Sequence, residues 1–147
     1  MKTIFVLNGP NLNLLGRREP EIYGKWTLDD INSRLVALGQ EMDTRVICKQ
    51  TNHEGELIDA LQDSMDWANG VIFNPGGFTH TSVALRDAIT ATGIPVVEVH
   101  MSNITAREEF RHTSLISGVC IGTVSGFGWR SYSLALRALI DHLQEKL

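Results

Sequence analysis

A tyrosine and two arginines near the start of the chain could together form a base. Arg17, Arg18 and Tyr23 lie in a polar stretch that follows a short apolar run. A free tyrosine has a pKa of about 10, so only about one molecule in a thousand is the phenolate at neutral pH. An adjacent guanidinium lowers that pKa by roughly 1 to 3 units. Tyr23 beside either arginine is therefore a candidate general base, and the residues alone do not choose between Arg17 and Arg18.

A glutamate and a histidine two residues apart could form the matching acid. His100 ends a predicted strand, and Glu98 lies on the same side of that strand because side chains alternate with a period of two. A neighbouring carboxylate sets the charge state and the tautomer of an imidazole. Glu98 and His100 therefore predict a general acid that is oriented by a carboxylate.

The apolar segments that would position these residues predict five strands alternating with helices. The predicted strands cover residues 4–7, 45–49, 71–73, 96–99 and 119–124. Apolar residues at helical spacing fall between them, and a long helix is predicted at the C-terminal end. This alternation implies right-handed crossovers and a parallel sheet with helices on both faces. The predicted fold class is therefore α/β, flavodoxin-like, with a five-stranded parallel sheet in the order 2-1-3-4-5.

Polar residues follow three of the predicted strands. Asn8 and Asn11 come after strand 1, Asn74 follows strand 3, and His100 ends strand 4. In a sheet of this order, ligands bind beyond the carboxyl ends of the strands, where strands 1 and 3 flank the switch point. These residues therefore predict a binding site. The polar segment at about 16–24 has a glycine at each end, which predicts a mobile active-site lid.

The composition limits the classes of function. With 147 residues, the chain is predicted to be a single catalytic domain over 1–147. The net charge of -4, without blocks of like charge, argues against nucleic acid or a membrane as a partner. The apolar run at the N-terminus is too short for a signal peptide, so a cytoplasmic location is expected. The histidines and cysteines lack the spacing of metal ligands, so no metal is expected.

Three segments resemble a known family. They read NGPNLNLLGRREPEIYG, NPGGFTHTSVALRDA and EVHMSNITAREEFRHTS, in this order along the chain. In sequence and spacing they closely resemble the type II 3-dehydroquinate dehydratases of the shikimate and quinate pathways, and the resemblance covers essentially the whole chain. It implies a carbon-oxygen lyase that converts 3-dehydroquinate to 3-dehydroshikimate by anti elimination of water through an enolate. It also implies that the reaction uses no metal, no cofactor and no Schiff base.

The resemblance implies a role for each matching residue. Tyr23 would remove the C2 proton, and Arg18 would lower the pKa of Tyr23. Asn11 would hold a water molecule against the enolate oxygen. His100, oriented by Glu98, would protonate the departing C1 hydroxyl. The groups expected to bind the substrate carboxylate and hydroxyls are Asn74, His80, Arg111 and the backbone amides of Met101 and Ser102.

The resemblance further implies a homo-oligomer. In the family, the residue at Asp87 reaches the substrate site of a neighbouring subunit, which implies a trimeric unit. Four such trimers commonly form a dodecamer. The expected partners are therefore the substrate and further copies of the chain.

Two other functions remain open on the residues alone. A non-catalytic small-molecule-binding module on the same fold would bind a ligand at the same edge of the sheet without turnover. A Schiff-base enzyme acting on the same kind of substrate would need a lysine at the site. The available lysines are Lys2, Lys25, Lys49 and Lys146, and none of them ends strand 1, 3 or 4.

Overall fold

The computed structural model describes residues 1–17 and 19–145, without the side chains of Pro20 and Tyr23. The strands in these residues are β1 (Lys2–Asn8), β2 (Thr44–Gln50), β3 (Gly70–Asn74), β4 (Val96–His100) and β5 (Gly122–Ser125). The helices are α1 (Pro20–Tyr23), α2 (Leu28–Glu41), α3 (Glu54–Ser64), α4 (Val83–Thr92) and α5 (Arg130–Gln144). Short 3-10 turns lie at Leu12–Leu14, Gly76–His80, Ile104–Ala106, Glu109–Arg111 and Ser117–Val119.

The strands form one parallel sheet in the order β2-β1-β3-β4-β5. This order confirms the predicted fold class. Chain order reverses at β1, which pairs with β2 on one side and with β3 on the other. The last residues of β1 and β3 lie opposite each other, with Asn8 paired to Asn74. The loops that leave these two strands therefore diverge from one point at the carboxyl edge of the sheet.

The central strands are apolar without interruption because helices cover both faces of the sheet. In β1, Ile4 and Val6 pack with α2 and α5, whereas Phe5 and Leu7 pack with α3 and α4. All four side chains are almost completely buried. The two layers together form the core that holds β1 and β3 in place. None of the helices in the described part of the chain is both long enough and apolar enough to cross a membrane.

The start of α2 lies where the sequence predicts it, but its end does not. Thr27 and Asp30 form the predicted capping box. Thr27 N–H donates to Asp30 Oδ2 at 3.0 Å, and Asp30 N–H donates to Thr27 Oγ1 at 3.1 Å. Gly39 predicts the end of the helix, yet α2 continues to Glu41. The reason is close packing, since a Cβ on Gly39 would lie 2.6 Å from Val46 Cγ2. This glycine allows α2 to approach β2, and it does not cap the helix.

The last strand begins later than its apolar residues predict. A strand is predicted from residue 119, whereas β5 starts at Gly122. Residues Ser117–Val119 form a 3-10 turn, and Val119 and Cys120 pack against the α3 and α4 side of the core. The ladder is joined only when Ile121 N–H donates to the Val96 carbonyl at 2.8 Å. Packing on a helix layer here takes precedence over strand propensity.

The loops after β1 and β3 touch at the level of the backbone. Gly9 N–H donates to the Asn74 carbonyl oxygen at 2.8 Å. A Cβ on Gly9 would lie 2.5 Å from the carbonyl oxygen of Pro75, which is closer than real Cβ contacts allow. Glycine is therefore required at this position because of a close approach between two loops.

Candidate active site

A polar cavity of about 130 Å³ lies at the carboxyl edge of the sheet, next to the ends of β1, β3 and β4. Its position is the one predicted from the sheet order. The residues that line it come from the loops after these three strands: Pro10, Asn11, Leu12, Asn74, Gly76, Gly77, His80, His100, Met101, Ser102, Ile104, Arg107 and Arg111.

The cavity brings together most of the residues that the sequence singles out. Those that line it are Asn11, Asn74, His80, His100, Met101, Ser102 and Arg111. Glu98 lies directly behind His100 and is fully buried. Asp87 is exposed on α4 and does not line the cavity. Arg18 and the side chain of Tyr23 lie outside the described residues, so their roles stay predictions.

His100 and Glu98 form a buried pair at the end of β4. The distance from His100 Nε2 to Glu98 Oε2 is 2.5 Å. A carboxylate with an ionised charge can only accept, so Nε2 carries the proton that it donates to Glu98. Nδ1 is then the ring nitrogen that Glu98 does not contact. The structure thus shows the contact that the two-residue spacing predicts.

Two serines complete the surroundings of Glu98, and the sequence analysis missed both. The second carboxylate oxygen, Oε1, accepts hydrogen bonds from Ser114 Oγ at 3.0 Å and from Ser117 Oγ. Burial alone would raise the pKa of Glu98, but the hydrogen bonds from His100 and Ser117, the charge of His100 and the Ser114 hydroxyl hold it below its ordinary value. Glu98 is therefore a carboxylate at neutral pH although water does not reach it.

His80 is a second oriented histidine in the cavity. Its Nδ1 lies 2.8 Å from the carbonyl oxygen of Thr113, which can only accept, so Nδ1 must carry the proton. In the neutral ring, Nε2 is then a hydrogen-bond acceptor. The rings of His80 and His100 are nearly parallel, with centroids 6.5 Å apart. A bound molecule at this position would meet one imidazole that is tied to a carbonyl and one that is tied to a carboxylate.

Two arginines give the cavity a positive wall. Arg111 was predicted from the sequence, and its Nε donates to Glu108 Oε1 at 3.0 Å. Arg107 was not predicted, but it also lines the cavity, and its Nη1 is 3.3 Å from Ser102 Oγ. The sequence did contain an indication of Arg107, since it precedes Arg111 by four residues in the polar segment that follows β4. Guanidinium groups on a cavity wall suit an anionic ligand such as a carboxylate.

The asparagines near the switch point divide into exposed and buried ones. Asn11 has left-handed backbone angles, with φ of 70°, and its N–H donates to Asn52 Oδ1 at 3.1 Å. Its side chain does not cap the turn that follows, so its amide can face a ligand. Asn8 was expected among the polar residues of the site. It is instead fully buried and does not line the cavity, because its side chain meets Tyr132 of α5.

The residues in the cavity do not form a metal centre. Among residues 1–17 and 19–145, no group of three or more histidine, cysteine, aspartate or glutamate side chains could hold a metal ion. The chemistry that the described site offers is proton transfer by histidine, hydrogen bonding by amides and charge stabilisation by arginine.

The electrostatics of Glu98 predict how stability depends on pH. Because its pKa in the folded protein is lower than the ordinary value of 4.5, its carboxylate stabilises the fold fully above about pH 4.5. That contribution is lost as the pH falls through the folded pKa. The free energy of unfolding of the wild type, relative to Glu98→Gln, should decrease below about pH 4.5.

Urea denaturation at a series of pH values measures this difference. Ser117→Ala is the matched variant, since it retains the carboxyl group but removes one donor to it. In Ser117→Ala the folded pKa of Glu98 should lie closer to its ordinary value, so the loss of stability in acid should be smaller than in the wild type and complete at a higher pH. A difference between the wild type and Glu98→Gln that stays flat in acid would contradict the low pKa.

Comparison with known proteins agrees with this fold. A family model described as Dehydroquinase class II matches residues 2–140. The 3-dehydroquinate dehydratase of Exiguobacterium sp. is 56% identical over 143 residues, which cover 97% of each chain. The 3-dehydroquinate dehydratase of Acaryochloris marina is 54% identical over 142 residues, which cover 97% of this chain and 95% of the relative.

Solved structures give the same result. The type II dehydroquinase from Butyrivibrio crossotus has a TM-score of 0.92 and 40% identity, and the alignment covers 98% of each chain. The type II dehydroquinase from Propionibacterium acnes has a TM-score of 0.92 and 44% identity, covering 96% of this chain and 97% of that one. The resemblance carried by the three sequence segments is thus confirmed along nearly the whole chain, and the protein belongs to the class II dehydroquinases.

Proposed function

We propose that this protein is a lyase that dehydrates 3-dehydroquinate to 3-dehydroshikimate by anti elimination through an enolate. The observation that carries the proposal is the His100–Glu98 pair beside a cavity lined by Asn11, Asn74 and Arg111. Relatives that match almost the full chain bear the name 3-dehydroquinate dehydratase. The proposed setting is the shikimate or quinate pathway in the cytoplasm.

The proposed base is Tyr23, with Arg18 lowering its pKa. The sequence contains two tyrosines, and they are Tyr23 and Tyr132. Tyr132 is fully buried, and burial raises its pKa, so its phenol is unsuited to accept a proton from a substrate. This supports Tyr23 as the residue that removes the C2 proton. The electrons of the C2–H bond then form the enolate, whose oxygen would be stabilised by a water molecule held by Asn11.

The proposed acid is His100. In the second step, the carbonyl re-forms from the enolate, and a C1=C2 double bond forms as the C1–O bond breaks. His100 Nδ1 gives its proton to the departing hydroxyl, so that water leaves. The support is the hydrogen bond from Nε2 to Glu98, which leaves Nδ1 as the exchangeable position. Glu98 holds the ring and stabilises its positive charge before the proton is given up.

The remaining polar groups of the cavity would bind the substrate. We assign the substrate carboxylate and hydroxyls to Asn74, His80, Arg111 and the backbone amides of Met101 and Ser102. The support is that each of these residues lines the same cavity. Arg107, which shares the wall with Arg111, adds a second positive charge to the set.

We further propose one catalytic domain whose segment 16–24 covers the cavity as a lid. Gly16 and Gly24 both have positive φ values, 89° and 81°, so the chain changes direction at each end of the segment. Within it, Glu19 Oε2 lies 3.9 Å from Arg107 Nη2, which connects the segment to the cavity wall.

The proposed assembly is a dodecamer built from trimers, in which Asp87 approaches the site of a neighbouring subunit. Asp87 and Val83 are one helical turn apart on α4, so they share a face, and Val83 is 59% exposed. Phe110, next to the cavity residue Arg111, is 64% exposed. Exposed apolar side chains around the cavity are what a subunit contact would cover.

The absence of a metal and of a Schiff base can be tested in one assay. Purified protein is mixed with 3-dehydroquinate, and the ultraviolet absorbance of the conjugated product is followed. A chelator is present in one sample, and a second is treated with borohydride and substrate beforehand. The rate should be the same in all samples, because protons are moved by side chains alone. A loss after borohydride would support an imine, and binding without turnover would support a binding module.

The separation of base and acid predicts different behaviour for two variants in deuterated water. Tyr23→Phe should lose both exchange at C2 and dehydration, by roughly 10² to 10⁴-fold. His100→Ala should retain exchange at C2 while dehydration falls by roughly 10² to 10⁴-fold, since only the second step is affected. His53→Ala, at an exposed histidine outside the cavity, is the control. Turnover in Tyr23→Phe would remove Tyr23 from the base role.

The shared-site proposal predicts a change in assembly for Asp87→Ala. Removing this carboxylate should shift the sedimentation profile toward smaller species and lower turnover by roughly tenfold or more. Asp59→Ala, at an exposed aspartate on α3, should change neither. An unchanged oligomer with full activity in Asp87→Ala would count against a role for Asp87 at the neighbouring site.

A further inference from the structure

A fully buried polar group behind the cavity is the phenol of Tyr132. Tyr132 lies in the first turn of α5 and is the largest fully buried side chain among the described residues. Its hydroxyl reaches the ends of β1 and β3, where it is 2.6 Å from Asn8 Oδ1 and 2.9 Å from Asn74 Nδ2. Of these three residues, only Asn74 lines the cavity.

The direction of each hydrogen bond in this chain follows from one backbone group. Gly76 N–H can only donate, and it lies 3.1 Å from the Asn74 side chain, so Asn74 presents Oδ1 there. Asn74 Nδ2 must then face Tyr132 and donate to its hydroxyl oxygen. The Tyr132 proton is left to donate to Asn8 Oδ1. The Asn74 amide is thereby held at both ends and cannot turn over.

Holding the amide this way determines what Asn74 offers to the cavity. Each side-chain amide has two N–H donors and two oxygen lone pairs. The contacts to Tyr132 and Gly76 use one of each, so one donor and one acceptor remain in fixed directions. The hydrogen bond from Gly76 alone would hold the oxygen of the Asn74 amide but would leave its nitrogen able to rotate away from the ligand.

The arrangement also has a cost in stability, which argues against a purely structural purpose. Asn8 Nδ2 is buried and has no hydrogen-bond partner among the described residues. A buried donor without a partner is unfavourable, and an apolar side chain of similar shape would avoid that penalty. A polar network that is retained at such a cost fixes geometry, and the geometry it fixes here is that of a cavity residue.

We propose that Tyr132 is a positioning residue for the reaction, which acts by fixing the orientation of the Asn74 amide toward the substrate. This inference rests on the substrate-binding role proposed for Asn74. Tyr132 itself does not touch the cavity, so its effect must pass through Asn74. Burial raises the pKa of Tyr132, and the phenol therefore remains a donor at all working pH values.

The test is a double-mutant cycle on kcat and KM with 3-dehydroquinate. Tyr132→Phe removes only the hydroxyl, and kcat/KM should fall about tenfold, mostly through a higher KM, because a loosened amide binds less well. In an Asn74→Ala background the same substitution should change kcat/KM less than about twofold. The ratio of the wild-type kcat/KM to that of Tyr132→Phe should be flat between about pH 6 and pH 9, because the buried phenol does not ionise in this range.

Ser131→Ala provides the matched control. Ser131 is a fully buried hydroxyl in the same turn of α5, and it accepts from Phe127 N–H at 3.0 Å, away from Asn74. Its loss should lower the melting temperature but leave kcat and KM within about twofold. If Tyr132→Phe behaves like Ser131→Ala, Tyr132 is structural only and the proposal is wrong.

Two further outcomes are decisive. An equal effect of Tyr132→Phe with and without Asn74 would show that Tyr132 does not act through it. If Asn74→Ala leaves kcat/KM unchanged, the binding role of Asn74 fails together with this inference, although turnover by the wild type stands.

Should Tyr132→Phe not fold, Asn8→Ala tests the same series of hydrogen bonds from its other end, and KM should rise roughly threefold. An unchanged KM in Asn8→Ala would overturn the proposal.

Discussion

The in-register pairing of β1 with β3 determines where everything polar in this protein can lie. Asn8 is opposite Asn74, and the hydrogen bond from Gly9 to the Asn74 carbonyl extends the contact one residue beyond the sheet. From that point the two loops separate, because β1 is the strand at which chain order reverses. The cavity lies between these two loops and the segment that follows β4. Its amides, its histidines and its arginines are all placed by loops that start from this one edge.

The buried carboxylate of Glu98 is the second constraint on the site. A buried charge is unfavourable unless it is hydrogen-bonded, and here His100, Ser114 and Ser117 donate three hydrogen bonds to Glu98. The serines come from the segment that connects β4 to β5, which also carries Arg107 and Arg111 of the cavity wall. The turns of this segment bring two hydroxyl groups to one oxygen of Glu98.

The sequence predicted the sheet order and the local features, but not the individual contacts between residues that are distant in the chain. The apolar run of β1, the Thr27–Asp30 capping box and the proximity of Glu98 to His100 all depend on neighbours within a few residues. The late start of β5 depends on packing against α3 and α4, so no local pattern reveals it. The hydrogen bond from Tyr132 to Asn8 joins residues 124 positions apart. In the sequence, Tyr132 shows only the spacing of a helix residue that faces the core. Its hydrogen bonds to Asn8 and Asn74 form only when β1, β3 and α5 are assembled.

The contact between Gly9 and Pro75 makes one wall of the cavity intolerant of substitution, whereas the opposite wall can be changed. A side chain at Gly9 would overlap the backbone of the facing loop, so the two loops cannot accept substitutions independently of one another. The opposite wall is built from short 3-10 turns after β4, which carry Ile104, Arg107 and Arg111. Exchange of residues in those turns does not disturb the junction of β1 and β3. Redesign of this enzyme for a different polyhydroxylated ring acid should therefore start from the turns after β4 and leave the Gly9–Pro75 junction untouched.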